Sequence, residues 1–288
     1  MPAVRTAAKI VRSAEGVEGE GFLVHRPFPS RELIQVDPFL LLDEMGPAHL
    51  EPHEARGAPD HPHRGFETVT YILEGSMEHL DSTGRGGRIG AGDVQWMTAG
   101  RGVIHSEMPG QEIVTSGGNL HGVQLWVNLP RAEKWIDPKY QAIVSSEIPE
   151  WRSDDGGVVI RIIAGSLFDE EANVATRTPI VYLHLKLREG ASIEVPVDRT
   201  FNAIVYALAG TLTTGESPTE FGERTMALLR RDAPLIRLAA LGGPAEALLI
   251  AGKPIGEPIA RFGPFVMNTR EELEQAIRDY QEGKFVDR

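Results

Sequence analysis

Short apolar runs closed by glycine or acidic turns recur along the chain, and most of them read as β-strands. In Phe66-Glu67-Thr68-Val69-Thr70-Tyr71-Ile72-Leu73, β-branched and aromatic residues dominate, and Glu74-Gly75 ends the run as a turn does. The stretches GVQLWVNL (122–129), IVYLHLKL (180–187), NAIVYALAG (202–210) and AEALLIAG (245–252) share this character. One segment follows a helical period instead. Thr269 and Glu272 have the spacing of a capping box, Leu273, Ala276, Ile277 and Tyr280 share one face, and Gly283 stops the run. The pattern predicts an all-β protein with one C-terminal α-helix, over about 269–283, packed on a sheet.

An internal repeat sets the domain organisation. With Gly75 aligned to Gly210, HPHRGFETVTYILEG falls on PVDRTFNAIVYALAG, matching Arg64 to Arg199, Phe66 to Phe201, Tyr71 to Tyr206 and Leu73 to Leu208. A glycine-bounded strand returning one domain length later is what two copies of a small β-barrel or jelly roll produce. The 288 residues suit two such domains, an N-terminal barrel over 1–140 and a C-terminal barrel over 141–288 that ends in the helix. The boundary is expected near Pro138 to Pro149. His61 and His63 of the first copy align with Pro196 and Asp198 of the second, so the metal chemistry is expected in the first barrel alone.

Composition narrows the chemistry. Lys and Arg number 29 against 41 Asp and Glu, a net charge of -12, and no basic run follows a phosphate backbone, which argues against direct nucleic-acid binding. No apolar run approaches the roughly 20 residues of a membrane helix, and the first residues lack the apolar stretch of a signal peptide. A cytoplasmic protein is expected, or a nuclear one in a eukaryotic host. With no cysteine, any metal must be held by His, Asp or Glu.

Two short motifs supply such ligands. His61 and His63 flank Pro62, and residues two apart on a strand project from one face about 6.6 Å apart. Pro62 stiffens the pair, although the tripeptide alone also suits a polar loop entering a strand. His105-Ser106-Glu107 repeats the spacing after a glycine-bracketed strand. Neighbouring barrel strands would then bring three histidines and one carboxylate to one ion.

The segments DPFLLLDEM (37–45), HPHRGFETVTYILEG (61–75), GDVQWMTAGRGVIHSEMP (92–109), GVQLWVNLP (122–130) and GPFVMNTREELEQAI (263–277) resemble the pirins, a branch of the cupin superfamily. The resemblance implies two cupin barrels in tandem. It also implies one metal, usually iron, in the N-terminal barrel, bound by the residues matching His61, His63, His105 and Glu107. Flavonol 2,3-dioxygenase (quercetinase) activity, and in nuclear members a transcriptional cofactor role, come with it as further expectations. The general cupin pattern instead selects Glu67 as the carboxylate. On an unbroken strand Glu67 shares the face of His61 and His63, as a ligand, a residue backing the ligands or a buried acid.

Imidazole and carboxylate suit Fe, Mn, Ni, Co, Cu or Zn. An octahedral ion would keep two positions open beside four ligands, which favours Fe(II). Phe66, Trp96, Met97 and Val103 flank the ligands either as core or as walls for a small aromatic substrate such as a flavonol. His25, His49, His53, His79, His121 and His184 read as surface or hydrogen-bonded histidines. The loop Gly46 to Asp60 either covers the site or merely connects strands. Three functions remain open: a quercetinase-type dioxygenase with Glu107 as base, a redox-responsive regulator acting through a protein partner, and an isomerase using Arg64 and Arg101 to hold a phosphate.

Overall fold

The computed structural model describes residues 3–286. It divides into two compact units, each built around an antiparallel β-barrel. The first unit carries the histidine motifs. Its seven-stranded sheet runs in the order Lys139–Ile143, Val94–Thr98, Phe66–Glu74, Gly118–Asn128, Phe39–Leu50, Phe22–Phe28 and Ala14–Glu18. Its four-stranded sheet runs Ala58–His63, Val103–Pro109, Ser76–Asp81 and Gly86–Gly90. The strands predicted from 66, 122, 180, 202 and 245 onward all form. Gly46 to Asp60 is less loop than expected, because the strands reach Leu50 on one side and start at Ala58 on the other.

The second unit repeats the pattern with seven strands around Asn202–Ala209 and four around Leu235–Ala240. Its interior is one continuous apolar cluster in which Leu183, Leu185, Val205 and Leu249 of one sheet meet Val195, Leu212, Ile236 and Leu238 of the other. Val195 and Val197 fill the interior, while the neighbouring Pro196 and Asp198 are exposed. Buried polar groups enter the first barrel's interior instead, with His63, Thr68, Thr70, Gln95, His105 and Glu107 among them. The two barrels share a frame and differ in what fills it.

The units divide between Ser145 and Ser146, and three stretches depart from a simple 1–140 and 141–288 split, Ser30–Asp37 among them since it belongs to the second unit. Ala7–Arg12 pairs with Thr225–Leu229 in the second unit. The chain after Pro254, helix included, belongs to the first unit. The helix is Arg270–Gln281, and Thr269 caps it as predicted, its side chain accepting from the Glu272 amide at 3.2 Å while the Glu272 carboxylate accepts from the Thr269 amide at 3.0 Å. Ala276 packs with Phe265 and Phe285. A second helix, Gln111–Ser116, was not expected, since six residues are too few to show a period. No helix among the described residues is long and apolar enough to cross a membrane.

Two buried cations hold the C-terminal segment in place. Arg64 donates to Asp279 at 2.7 Å from beneath the Phe285 ring, whose centroid is 4.2 Å away, and the Arg64 backbone pairs with Pro264 and Val266. Lys134 donates to the carbonyls of Gly65 at 2.7 Å and Val266 at 3.0 Å and to Asn128 Oδ1 at 2.7 Å. Burial lowers its ammonium to about 8. These contacts join the segment to the turn that follows His63.

Removing one partner of a buried ion pair costs about 3–5 kcal/mol, so Arg64→Ala should destabilise the first barrel by that order in denaturant unfolding. A loss under about 1 kcal/mol would show the segment is held elsewhere. A pH effect is expected in the second unit, where His184 Nε2 lies 2.6 Å from Glu246 Oε1. Burial would raise the Glu246 carboxyl, but His184 and Lys186 outweigh it and hold it at about 2, below its ordinary 4.5. The stability this adds is present above pH 4.5 and lost as pH falls toward 2. Calorimetry of Glu246→Gln should therefore show a shallower fall of Tm across that window.

Candidate metal centre

The geometry of the site starts from strand pairing. His105 lies directly opposite His61 in an antiparallel pair, and Val103 opposite His63. Between His105 and Glu107 the register shifts so that Glu107 faces Ala58, the extra residue lying in the Ala58–His63 strand, while the strand of Glu107 stays in regular register with Ser76–Asp81. The three imidazoles cluster with ring centroids 4.7 Å (His61 to His63), 4.5 Å (His61 to His105) and 5.0 Å (His63 to His105) apart. One nitrogen from each lies within 4.8 Å of the others.

The hydrogen bonding of these rings suits a metal. The His61 Nδ1–H donates to the Pro59 carbonyl at 2.8 Å, which turns Nε2 toward the cluster. His63 Nδ1 and both ring nitrogens of His105 are buried without a hydrogen-bond partner. Burial, reinforced by the neighbouring imidazoles, pushes His63 well below its ordinary range, and burial pushes His105 down to about 4 against the pull of Glu107. Both rings are therefore neutral at pH 7, with lone pairs available. Three clustered imidazoles, two of them buried and neutral with unpartnered nitrogens, fit a divalent transition ion.

Glu107 Oε2 lies 3.9 Å from His61 Nε2. Thr70 Oγ1 donates to Glu107 Oε1 at 3.3 Å, and the Gln124 amide nitrogen reaches its two oxygens at 3.3 and 3.1 Å. Glu67 stands elsewhere. Its Oε1 accepts from Thr98 at 2.6 Å, and Val127, Thr98 and Glu67 face one another across three strands. Thr70 and Gln124 are opposite each other one register step of odd parity away, so their side chains use the other face of the sheet. The strand was expected to run unbroken from His61 through Glu67, but it ends at His63 and a new strand in the other sheet begins at Phe66. Gly65, at φ +88°, makes the break, and a Cβ there would lie 1.9 Å from the Val266 carbonyl oxygen.

A cavity of about 600 Å³ opens beside His61, His63 and Glu107. Trp126, Phe22, Val24, Leu41 and Met45 supply its apolar walls, with Gln124 and the Arg26–Asp43 ion pair as polar points. Phe66, Trp96, Met97 and Val103, open between core and wall in the sequence, do not line this cavity. Phe66 packs edge-on to His63 at 5.2 Å and against Trp126 at 4.3 Å, behind the site. Met97 and Val103 are core beside Ala99 and Tyr140, and Trp96, opposite Val69, shares the sheet face of Glu67. Missed by sequence were Thr70, Gln124 and Trp126. For Thr70 and Gln124 the signal was a polar residue at interior parity in an otherwise apolar strand. Arg64 and Arg101 pair with Asp279 and Asp137 and neither lines the cavity, which argues against a phosphate-holding role. Of the six other histidines, His49, His121 and His184 are hydrogen-bonded, and His79 stacks on Tyr140 at 5.2 Å.

A bicupin with a histidine cluster in one barrel is the class this fold and site define. The Pirin family profile matches residues 21–127 and the Pirin C-terminal cupin domain profile matches 182–286. A Pseudomonas aeruginosa protein provisionally named quercetin 2,3-dioxygenase is 42% identical over 270 residues, 93% of each chain. Pirin of Rattus norvegicus is 41% identical over 285 residues, 95% of this chain and 91% of its own. The crystal structure of quercetin 2,3-dioxygenase from Acinetobacter baumannii superposes with a TM-score of 0.93 at 38% identity, covering 98% of this chain and 99% of that one. The chain belongs to the pirin family.

The site generates a comparison of two carboxylates. Metal analysis of protein purified without added metal should give about one ion per chain. Glu107→Ala should lose most of it, and Glu67→Ala should keep it. If Glu67→Ala empties the site and Glu107→Ala does not, the ligand assignment is reversed.

Proposed function

We propose that this chain is a metal-dependent dioxygenase acting on flavonols or related small aromatic diols, with Fe(II) held by His61, His63, His105 and Glu107. The observation that carries the reading is His105, buried beside two further imidazoles with neither nitrogen partnered and with a cavity of about 600 Å³ adjoining the cluster. The provisional name of the Pseudomonas relative and the activity named for the Acinetobacter structure support the substrate class.

Bound there, Fe(II) would supply Lewis acidity toward a substrate oxygen and redox exchange with dioxygen. The remaining chemistry belongs to the chain. Trp126, Leu41 and Met45 offer apolar surface for a planar ring and exclude water from it. Glu107, at the edge of the cavity, accepts the hydroxyl proton of the substrate on a carboxylate oxygen, and the Gln124 N–H groups orient that carboxylate.

Oxygen uptake tests this reading. Fe(II)-loaded protein should consume dioxygen with quercetin, and His61→Ala or chelation should abolish it. Glu107→Gln should lower turnover by about 10²–10⁴, far more than it lowers metal occupancy. No turnover with Fe, Mn, Ni, Co or Cu, over a panel of flavonols and catechols, would overturn it and leave a metal-binding regulator acting through a protein partner.

A further inference from the structure

Glu107 lies 3.9 Å from His61 Nε2, and the hydrogen bonds that orient its carboxylate come from outside its own strand pair. Those donors sit on two strands of the other sheet. Thr70 gives one hydrogen bond to Oε1, while the Gln124 amide nitrogen spans both oxygens. A donor shared between both oxygens resists rotation of the carboxylate about its own axis, which one contact to a single oxygen does not.

The Gln124 amide has its orientation set from behind. The Trp126 indole N–H donates to Gln124 Oε1 at 3.1 Å, and an indole nitrogen can only donate. The carbonyl end of the amide must therefore face Trp126 and the NH₂ end must face Glu107. Gln124 and Trp126 sit two apart on the strand Gly118–Asn128, so period-two geometry puts them side by side on the interior face. The indole is itself held. Its ring lies 4.3 Å from Phe66 and 4.9 Å from the Arg261 guanidinium, which donates to the Leu40 carbonyl at 3.0 Å.

We propose that Gln124 is a positioning residue for the metal centre, holding the Glu107 carboxylate in its binding orientation, and that the Trp126 N–H keeps the Gln124 amide from flipping. The inference rests on the reading of Glu107 as a ligand. An amide turned the other way would present its carbonyl oxygen to the carboxylate, acceptor against acceptor. Trp126 thus has two duties, as an apolar wall of the cavity and as the group that fixes the donor face of Gln124.

The test uses the full chain loaded with Co(II), whose visible absorption reports ligand geometry, and chelator competition for affinity. Gln124→Met, of similar length but without a donor, should weaken Co(II) binding by about 10 to 100-fold and shift the absorption. Trp126→Phe keeps a ring in the wall and removes the N–H, so it should shift the spectrum in the same direction with a smaller loss. In a Glu107→Ala background, Gln124→Met should change the affinity by less than about twofold, because it acts through Glu107.

Unchanged affinity and spectrum in Gln124→Met would overturn the proposal. So would an equal loss in the Glu107→Ala background, since Gln124 would then be supporting the barrel and not the carboxylate. If Gln124→Met does not fold, Trp126→Phe decides alone, and a wild-type spectrum there overturns the role of the N–H. Wild-type affinity in Glu107→Ala would instead sink the ligand reading itself, which keeps the two failures distinct.

Discussion

Burying an imidazole with no partner on either nitrogen costs about 1–3 kcal/mol for each unsatisfied polar atom, and the first barrel does this at its centre with His105. Around that ring the interior is polar. Thr68, Thr70, Gln95, His63 and Glu107 take interior or near-interior positions. The second barrel, on the same strand plan, fills its interior with Val, Leu, Ile and Ala in one cluster. The contrast locates the chemistry, because a polar barrel interior is a departure from good packing that an ion bound by those groups would offset.

The turn at Arg64 and Gly65 determines which residues reach that interior. It ends one strand after His63 and starts the next, in the other sheet, at Phe66. Phe66, Thr68 and Thr70 then share the interior with the histidines, and Glu67 is sent to the opposite face to meet Thr98. Glycine is required at the turn because the Val266 carbonyl occupies the place of a side chain. The chain after Pro254 therefore serves the site from a distance in sequence. Val266 closes on Gly65, Asp279 neutralises Arg64, and Arg261 lies against Trp126.

Much of this was legible in the sequence because its signals are local. Period-two runs marked the strands to within a few residues, and the Thr269–Glu272 box marked the helix start. The pairs His61/His63 and His105/Glu107 were readable because each lies on one strand, so spacing alone gives a shared face, and the pirin resemblance supplied the carboxylate. What escaped depended on contacts between distant segments. Parity could not separate Glu67 from Glu107 without knowledge that Gly65 resets the strand. Local pattern likewise could not show that the last helix packs in the first unit, since an amphipathic helix records that it needs an apolar surface and not which surface it finds. Gln124 escaped for the same reason, its role being set by Glu107 across the barrel.

Anomalous diffraction at the absorption edge of the ion retained by protein purified without added metal tests the central claim most directly. The account predicts one anomalous peak per chain, about 2.0–2.3 Å from a nitrogen of each of His61, His63 and His105 and from a Glu107 oxygen. A peak elsewhere, or one on the three histidines with Glu107 turned away from the ion, would contradict it.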